Sequence, residues 1–592
     1  MAGISVTLIV WTTLTDPIGL PKMFVLALFS AWIFGTIGVL FLKARAREVV
    51  PIQWALFAFS LAVFIAAILT DVRYTAFYGA GQRNNGAITY FSFAILMLAA
   101  TLSFNRASVS RFRTAFIIVG AITTIYGLLQ ISNHDPFNWI LLYGPVVGTL
   151  GNPDFMSALL GTVGIATVWF IVSSNRSSYR LMGGGLLLLE LFVIKRSGSF
   201  QGILAFAIGL VLIVLGKLWQ ISRRVGLIST AIVGIFSIPV LLGLTNNGPL
   251  ASHLYRSSLQ NRLDYWRAAI CMFKAHPIFG VGLDRFAENY ANYAPKNQVV
   301  FGQLTDNAHN VFLQLLATGG LLVFLPYMAI IILIFLKSIQ GIRKSHGQTQ
   351  IDLVGLFAIW FALLLISSIS IDNLGVAVWF WISGGVLFAV GQDSLVLGKD
   401  ANINEKKKKK SRSKSVTPSE NYISPIMSLI LSVAVLLVVI PTVRTSGAIA
   451  DMQANRSGLT TTQFLAKIDS TANIWPRNSQ TLNLLGDIAL RINNIKLGLI
   501  LAGQAIEIDP KSNYGNQLSA IAYERSKNYA KAIAFRKRVI ELDPWNTSNM
   551  LEIVKDYLFL KDIPNAKAMV EKITQLRPDG SEDVAAAALL KG

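Results

Sequence analysis

The chain is 592 residues long, 53% hydrophobic and only 14% charged, with a mean hydropathy of +0.54. That composition excludes an ordinary soluble enzyme and predicts an all-α, polytopic membrane protein. The formal net charge of +21 does not imply nucleic-acid binding, because most Lys and Arg fall in short loops between apolar runs and in one tail. A single cysteine, Cys271, excludes an intramolecular disulfide framework and a multi-cysteine metal site. No charged n-region precedes the first apolar run, so no cleavable signal peptide is predicted.

In chain order, residues 4–15 are apolar but short, either a marginal span or a re-entrant segment ending at Asp16-Pro17. Fuller apolar runs follow at about 24–42, 52–70, 87–103, 114–131, 155–174, 181–195, 200–219, 225–244, 309–337, 351–370, 374–392 and 424–445. They predict a helix bundle of about 12–13 spans. Lys43, Arg45 and Arg47 share alternate loops with Arg106, Arg111 and Arg113, with Arg176 and Arg180, with Lys217, Arg223 and Arg224, and with Lys337, Arg343 and Lys344. The positive-inside bias puts all these loops in the cytoplasm. Residues 245–308 and the region beyond 445 then lie outside, and one odd-numbered crossing pattern satisfies every loop.

The segment 245–308 is dense in polar residues. A helix is predicted over 259–275, ended by Pro277 and the glycines after it. Arg262 and Arg267 lie five apart and so not on one face, yet both could converge on one ligand if the helix crosses a cavity mouth. A planar guanidinium suits phosphate oxygens; snorkelling, or pairing with Asp264, is the blander reading. At 306–320 the polar segment gives way to a long apolar helix that Asp306 or Asn307 could cap. His309 then stands on its first turn beside Asn310, where the helix dipole should favour a neutral imidazole. A capped interfacial histidine without chemistry is the alternative.

Lys406 to Lys410, with Arg412 and Lys414, form a basic low-complexity linker that pins the cytoplasmic side and touches anionic lipid. Beyond the last span, Pro476, Pro510, Pro544 and Pro578 recur every 34 residues, the last three closing similar phrases such as Ala-Ile-Glu-Ile-Asp-Pro510 and Val-Ile-Glu-Leu-Asp-Pro544. This period resembles tetratricopeptide repeats. Leu485-Gly486 and Ala505, Tyr523 and Ala532, and Tyr557 and Ala566 fill signature positions, and the predicted α-solenoid reads as a protein-binding module.

Several phrases together resemble the O-antigen ligase and lipid-linked polysaccharide polymerase superfamily. They are Gly148-Thr-Leu-Gly151-Asn152-Pro153-Asp154-Phe155, Asn261-Arg262-Leu-Asp-Tyr-Trp266-Arg267, His276-Pro277-Ile-Phe-Gly280-Val-Gly282, and His309-Asn310 followed by Gly320. The chain departs from the superfamily pattern at Val323, and again at Ser199-Phe200-Gln201-Gly202, which lacks the usual Arg; Arg196 is the candidate substitute. The resemblance implies a GT-C-like bundle over residues 1–392, including loop 245–308. A linker (393–423), a final span (424–445), a connector (446–476) and the repeats (477–592) follow.

It further implies glycan transfer from a polyprenyl-diphosphate lipid to an acceptor hydroxyl, with inversion, in a bacterial cytoplasmic (inner) membrane. His309 would be the base, and Arg262 with Arg267 or Arg196 would bind the diphosphate. Asn310, Asp306, Trp266, Gly320 and Asn152 would support them. No cofactor or metal is demanded, although Asp71 and Asp154 keep a metal-assisted variant open. The expected partners are the lipid-linked glycan, a glycan, lipid or protein acceptor, membrane lipid and a protein bound by the repeats. A protein O-oligosaccharyltransferase is the nearest alternative. A transporter or flippase, or a scaffold presenting the repeats, would be a different class.

Overall fold

The structure, a computed structural model, describes residues 1–43, 50–137, 144, 146–244, 247–249, 251–254, 257–294, 305–400 and 423–591. The basic run Lys406–Lys410 lies outside them. Among the described residues the regular elements are helices. In the first half these are α1 (Ala2–Leu8), α2 (Gly19–Lys43), α3 (Pro51–Leu69), α4 (Arg73–Tyr78), α5 (Ala87–Ser103), α6 (Val109–Ile131), α7 (Pro153–Ser173), α8 (Ser177–Ser197), α9 (Gln201–Ile221) and α10 (Arg223–Leu244). The segment before the next span folds as α11 (Ala251–Leu254), α12 (Ser257–Ala275) and α13 (Phe286–Tyr293). Then come α14 (Val311–Lys344), α15 (Gly347–Ser367), α16 (Leu374–Asp400) and α17 (Ile423–Ala454).

Ten of these helices are long and apolar enough to cross a membrane: α2, α3, α6 to α9 and α14 to α17. Of the remaining expected runs, α5 is a 17-residue apolar helix and α10 covers Arg223–Leu244. The N-terminal run forms only a short helix. At 1.5 Å per residue its seven helical residues reach only about 10 Å of the roughly 30 Å needed. As a helix it is too short for a span. Lys22 of α2 donates to Thr7 O (2.9 Å) and Ile9 O (2.8 Å), satisfying carbonyls that the short α1 leaves open. The Trp379 indole donates to the Thr7 hydroxyl at 2.8 Å, tying α1 to α16.

The most enclosed span is α16. Its Trp381 ring lies 5.5 Å from Phe59, 5.9 Å from Phe93 and 6.0 Å from Tyr327, so α3, α5 and α14 pack around one aromatic centre. Leu181, Leu188, Phe236 and Leu437 project outward from the bundle, as a surface solvated by lipid allows.

One span is broken. Gly320 in α14 has φ +60° and ψ −164°, outside helical values. The turn of helix interrupted there bonds instead to the segment after α12. Val281 N donates to Ala317 O (2.9 Å), Gly282 N to Thr318 O (3.2 Å), Leu321 N to Pro277 O (2.9 Å) and Leu322 N to Ile278 O (3.1 Å). A Cβ on Gly320 would lie 2.3 Å from Ile278 O, and one on Gly280 (φ +69°) 2.4 Å from Thr318 C. Both positions require glycine.

Beyond α17 and a short α18 (Thr461–Ala472), the repeats form α19 (Ser479–Arg491), α20 (Ile495–Ile508), α21 (Asn513–Arg525), α22 (Tyr529–Leu542), α23 (Thr547–Phe559), α24 (Ile563–Leu576) and α25 (Ser581–Lys591). The 34-residue period is visible in the turns. Asn478, Ser512 and Asn546 cap the first helix of each pair, and Asn494, Asn528 and Asp562 the second. Asn493, Lys527 and Lys561 hold the left-handed φ between the paired helices. Leu485, Ala505, Ala532 and Ala566 are fully buried, as signature positions should be. The last span is longer than expected, because α17 runs nine residues past 445 into the region read as a connector.

Two outcomes are expected. Cys271 is exposed, so an impermeant maleimide should label the native protein on intact cells, whereas a Cys271→Ser/Lys408→Cys chain should label only after lysis. Labelling of position 408 from outside would reverse the topology. Gly320→Ala should lose about 1–3 kcal/mol to backbone strain alone, seen as a lower unfolding temperature in detergent. An unchanged melting curve would mean that the break is not needed.

Candidate active site

The break in α14 determines what stands beside the helix start. Asn310, not Asp306 or Asn307, is the cap, its Oδ1 accepting from Leu313 N at 3.1 Å. His309 therefore lies one residue before the cap rather than on the first turn, in the left-handed region at φ +51°. Its N–H donates to Asn307 Oδ1 (3.0 Å), and Ala308 N–H donates to Gln314 Oε1 (3.0 Å), so the side chain is presented from a stitched loop. Asp306 has a different task. It takes the Arg83 guanidinium in a two-pronged pair, 2.7 Å from Nε and 3.1 Å from Nη2.

His309 and Arg262 open onto one cavity of about 1310 Å³ with Asp16, Arg83, Asp154 and Tyr265. The Tyr265 ring lies 5.5 Å from the imidazole. Burial, then the charges of Arg262 and Arg83, lower the His309 pKa to about 4, with Asp306 opposing. Desolvation rather than the helix dipole is thus the main cause. Burial also pulls the Arg262 guanidinium below its usual range, against the pull of Asp154, and pushes the Tyr265 phenol up.

Arg262 comes from α12, which forms over Ser257–Ala275, close to the expected 259–275. Its Nη2 stands 3.8 Å from Asp154 Oδ2, a loose ion pair. Asp154 is held in turn: Ser199 Oγ donates to its Oδ1 at 2.6 Å, and Asn152, the cap of α7, accepts from its backbone N–H at 2.8 Å. The cavity thus brings together Asn152, Asp154, Arg262, Asp306 and His309.

Five expected members do not line the cavity: Asn310, which caps α14, and Arg267, Arg196, Trp266 and Gly320. Arg267 is half exposed and paired with Asp264 at 3.1 Å, away from the cavity lining, because five residues on a helix turn it to another face. Arg196 is exposed in the last turn of α8 and is not part of the cavity lining. Trp266 neighbours Arg262 but does not line the cavity, and Gly320 acts on the backbone rather than in the cavity. Sequence reasoning missed Arg83. Its signal was available, since it is an arginine in a glycine-rich loop on the side that the charge bias depletes of cations.

Comparison with known proteins gives one family match: residues 185–328 match the family described as O-antigen ligase. No curated protein matches. Among solved structures, yeast Tom70 is similar at 12% identity over 85% of this chain and 91% of that chain, with a TM-score of 0.23. The APC/C hetero-tetramer Cut9-Hcn1 is similar at 12% identity over 96% of this chain and 89% of that chain, with a TM-score of 0.20. At these scores neither likeness bears on the fold. The matched residues 185–328 contain both Arg262 and His309, and the ten apolar helices fit a multi-pass membrane protein.

Proposed function

We propose that the protein transfers a glycan, outside the cytoplasm, from a polyprenyl-diphosphate lipid to an acceptor hydroxyl, with inversion at the anomeric carbon. The observation that carries this reading is the shared cavity, in which a neutral imidazole and a phosphate-competent guanidinium meet beside the start of a span. The cavity is large enough for a lipid diphosphate and a sugar together.

Each group has one task. His309 accepts the proton of the acceptor hydroxyl, whose oxygen attacks the anomeric carbon as the bond to the diphosphate breaks. The electron pair leaves on the diphosphate, where Arg262 stabilises the growing charge. Arg83 replaces Arg267 and Arg196 as the second cation. Its carboxylate partner, Asp306, holds it in the wall until an anion competes. A pKa near 4 keeps His309 unprotonated but makes it a weak base in the empty site. The bound diphosphate offsets the two guanidinium charges, which raises the imidazole pKa as the base is needed.

The pH profile follows with a definite sign. His309 works deprotonated, so activity rises with pH through its pKa, and kcat/KM, which reports the free protein, should fall only well below pH 6.5. The limb for kcat should lie higher, because the donor is bound. Coincident limbs would remove the proposed charge coupling. His309→Ala should lower turnover by about a hundredfold or more while donor binding is kept. Loss of donor affinity with turnover preserved at saturation would make His309 a phosphate ligand instead.

The arginines separate in the same assay with a lipid-linked oligosaccharide donor. Arg262→Lys keeps the charge but loses the planar fork, and transfer should fall about tenfold. Arg267→Ala should remain near wild type, since that side chain faces away from the cavity. The reverse ranking would relocate the diphosphate site.

A further inference from the structure

The repeats do not stand apart from the ligase domain. Arg285, at the start of α13, donates through Nη2 to Asp509 Oδ1 at 2.8 Å, and both side chains are buried, at 4% and 6% exposure. Around that pair, Trp545 Nε1 donates to Ala291 O (3.1 Å), Asn292 Nδ2 to Leu542 O (3.2 Å) and Lys511 Nζ to Asn289 Oδ1 (3.4 Å). The repeat residues in these contacts lie at or beside the Asp-Pro turns that end α20 and α22. The repeats thus meet α13 by their turns.

On its other side α13 carries the wall of the cavity. Phe286 and Tyr290 pack with Ala268, Ala269 and Met272 of α12 and with Ala308, next to His309. The Tyr290 ring meets Tyr265 edge-on at 5.7 Å, and Tyr265 lies against His309. Asp284, one residue before Arg285, accepts from Ala80 N–H at 2.6 Å and so ties α13 to the loop that presents Arg83. One eight-residue helix links the repeat turns to the two elements that flank the imidazole.

We infer that the repeat domain is a clamp on α13, and that Arg285 is a positioning residue which, through the Arg285–Asp509 pair, sets the packing of Tyr265 against His309. This rests on His309 being the base, but its test does not. The groups that face His309 are Arg262 and Tyr265 from α12, Arg83 from the α4–α5 loop and Asp306 from its own loop. A loosened α13 lets water reach the ring, and desolvation is the largest cause of its low pKa. The proton affinity of His309 therefore reports the clamp.

The measurement is carbethoxylation of His309 by diethyl pyrocarbonate, read by peptide mass spectrometry on the full-length protein in proteoliposomes from about pH 4 to 8. Only neutral imidazole reacts. The half-reaction pH should rise in Arg285→Glu by about one to two units toward the ordinary histidine value. It should return to the wild-type value in Arg285→Glu/Asp509→Arg. A half-point unmoved in the single variant, or left shifted by the swap, overturns the clamp. Because the label needs no glycan, a shift and rescue in a protein that transfers nothing would uphold the clamp while sinking the transferase reading.

Discussion

Four backbone hydrogen bonds at the broken turn of α14 hold the site together. A helix that enters a membrane cannot leave amides and carbonyls without partners in hydrocarbon. Counting about 20 residues back from Lys337 puts Gly320 near the boundary, where the break is tolerable if another strand of chain completes it. The segment Pro277–Gly282 does so, and glycines at 280 and 320 let the two backbones approach. The consequence is geometric. The end of α12 is tied to the start of α14, so Arg262 and His309, 47 residues apart in sequence, open onto one cavity.

That cavity is held near electrical balance. Arg83 is matched by Asp306 in a tight, two-pronged pair, while Arg262 has Asp154 at a looser 3.8 Å. Charge-assisted pairs of the first kind are the stronger, so an incoming anion competes more easily for Arg262. Ser199 holds the Asp154 carboxylate from following the arginine, and the Asn152 cap fixes the Asp154 backbone. The phrase Ser199-Phe200-Gln201-Gly202 thus reaches the site through the Ser199 hydroxyl on that carboxylate and through Gln201, which lines the cavity, where an arginine was expected.

What the sequence revealed divides along the range of the forces involved. Apolar runs and a 34-residue period are local and repeated, and they led to the helices and the solenoid, with only the ends of α16 and α17 extending eight or nine residues further. The pattern Asn261-Arg262 with His309-Asn310 singled out two residues that do share a cavity. Caps were misplaced because Asp306, Asn307 and Asn310 are all competent, and only the tertiary pairing of Asp306 with Arg83 decides among them. Arg267 was admitted on the condition that α12 crosses a cavity mouth, and its pairing with Asp264 on another face keeps it out of the lining. Residues 4–15 fall short of a helical span: α1 ends at Leu8, and Lys22 satisfies the Thr7 and Ile9 carbonyls before the chain turns at Asp16-Pro17.

The contact between the repeats and α13 was invisible to pattern for a physical reason. Nothing in Ala-Ile-Glu-Ile-Asp-Pro510 says that its aspartate will be buried against Arg285, since a like phrase ends the next repeat at Asp543-Pro544 without such a partner among the described residues. A buried ion pair adds little net stability over apolar contact of the same volume, because desolvation cancels most of the attraction. It is costly only when one partner is lost, by about 3–5 kcal/mol. An interface built on such a pair is tolerant of nothing but its own register. That property suits α13, which has Trp545 and Asn292 to hold it in contact and Arg285 to hold it in place. Surface area supplies the adhesion, and the charge pair selects the single alignment in which Tyr290 meets Tyr265 and Tyr265 meets His309.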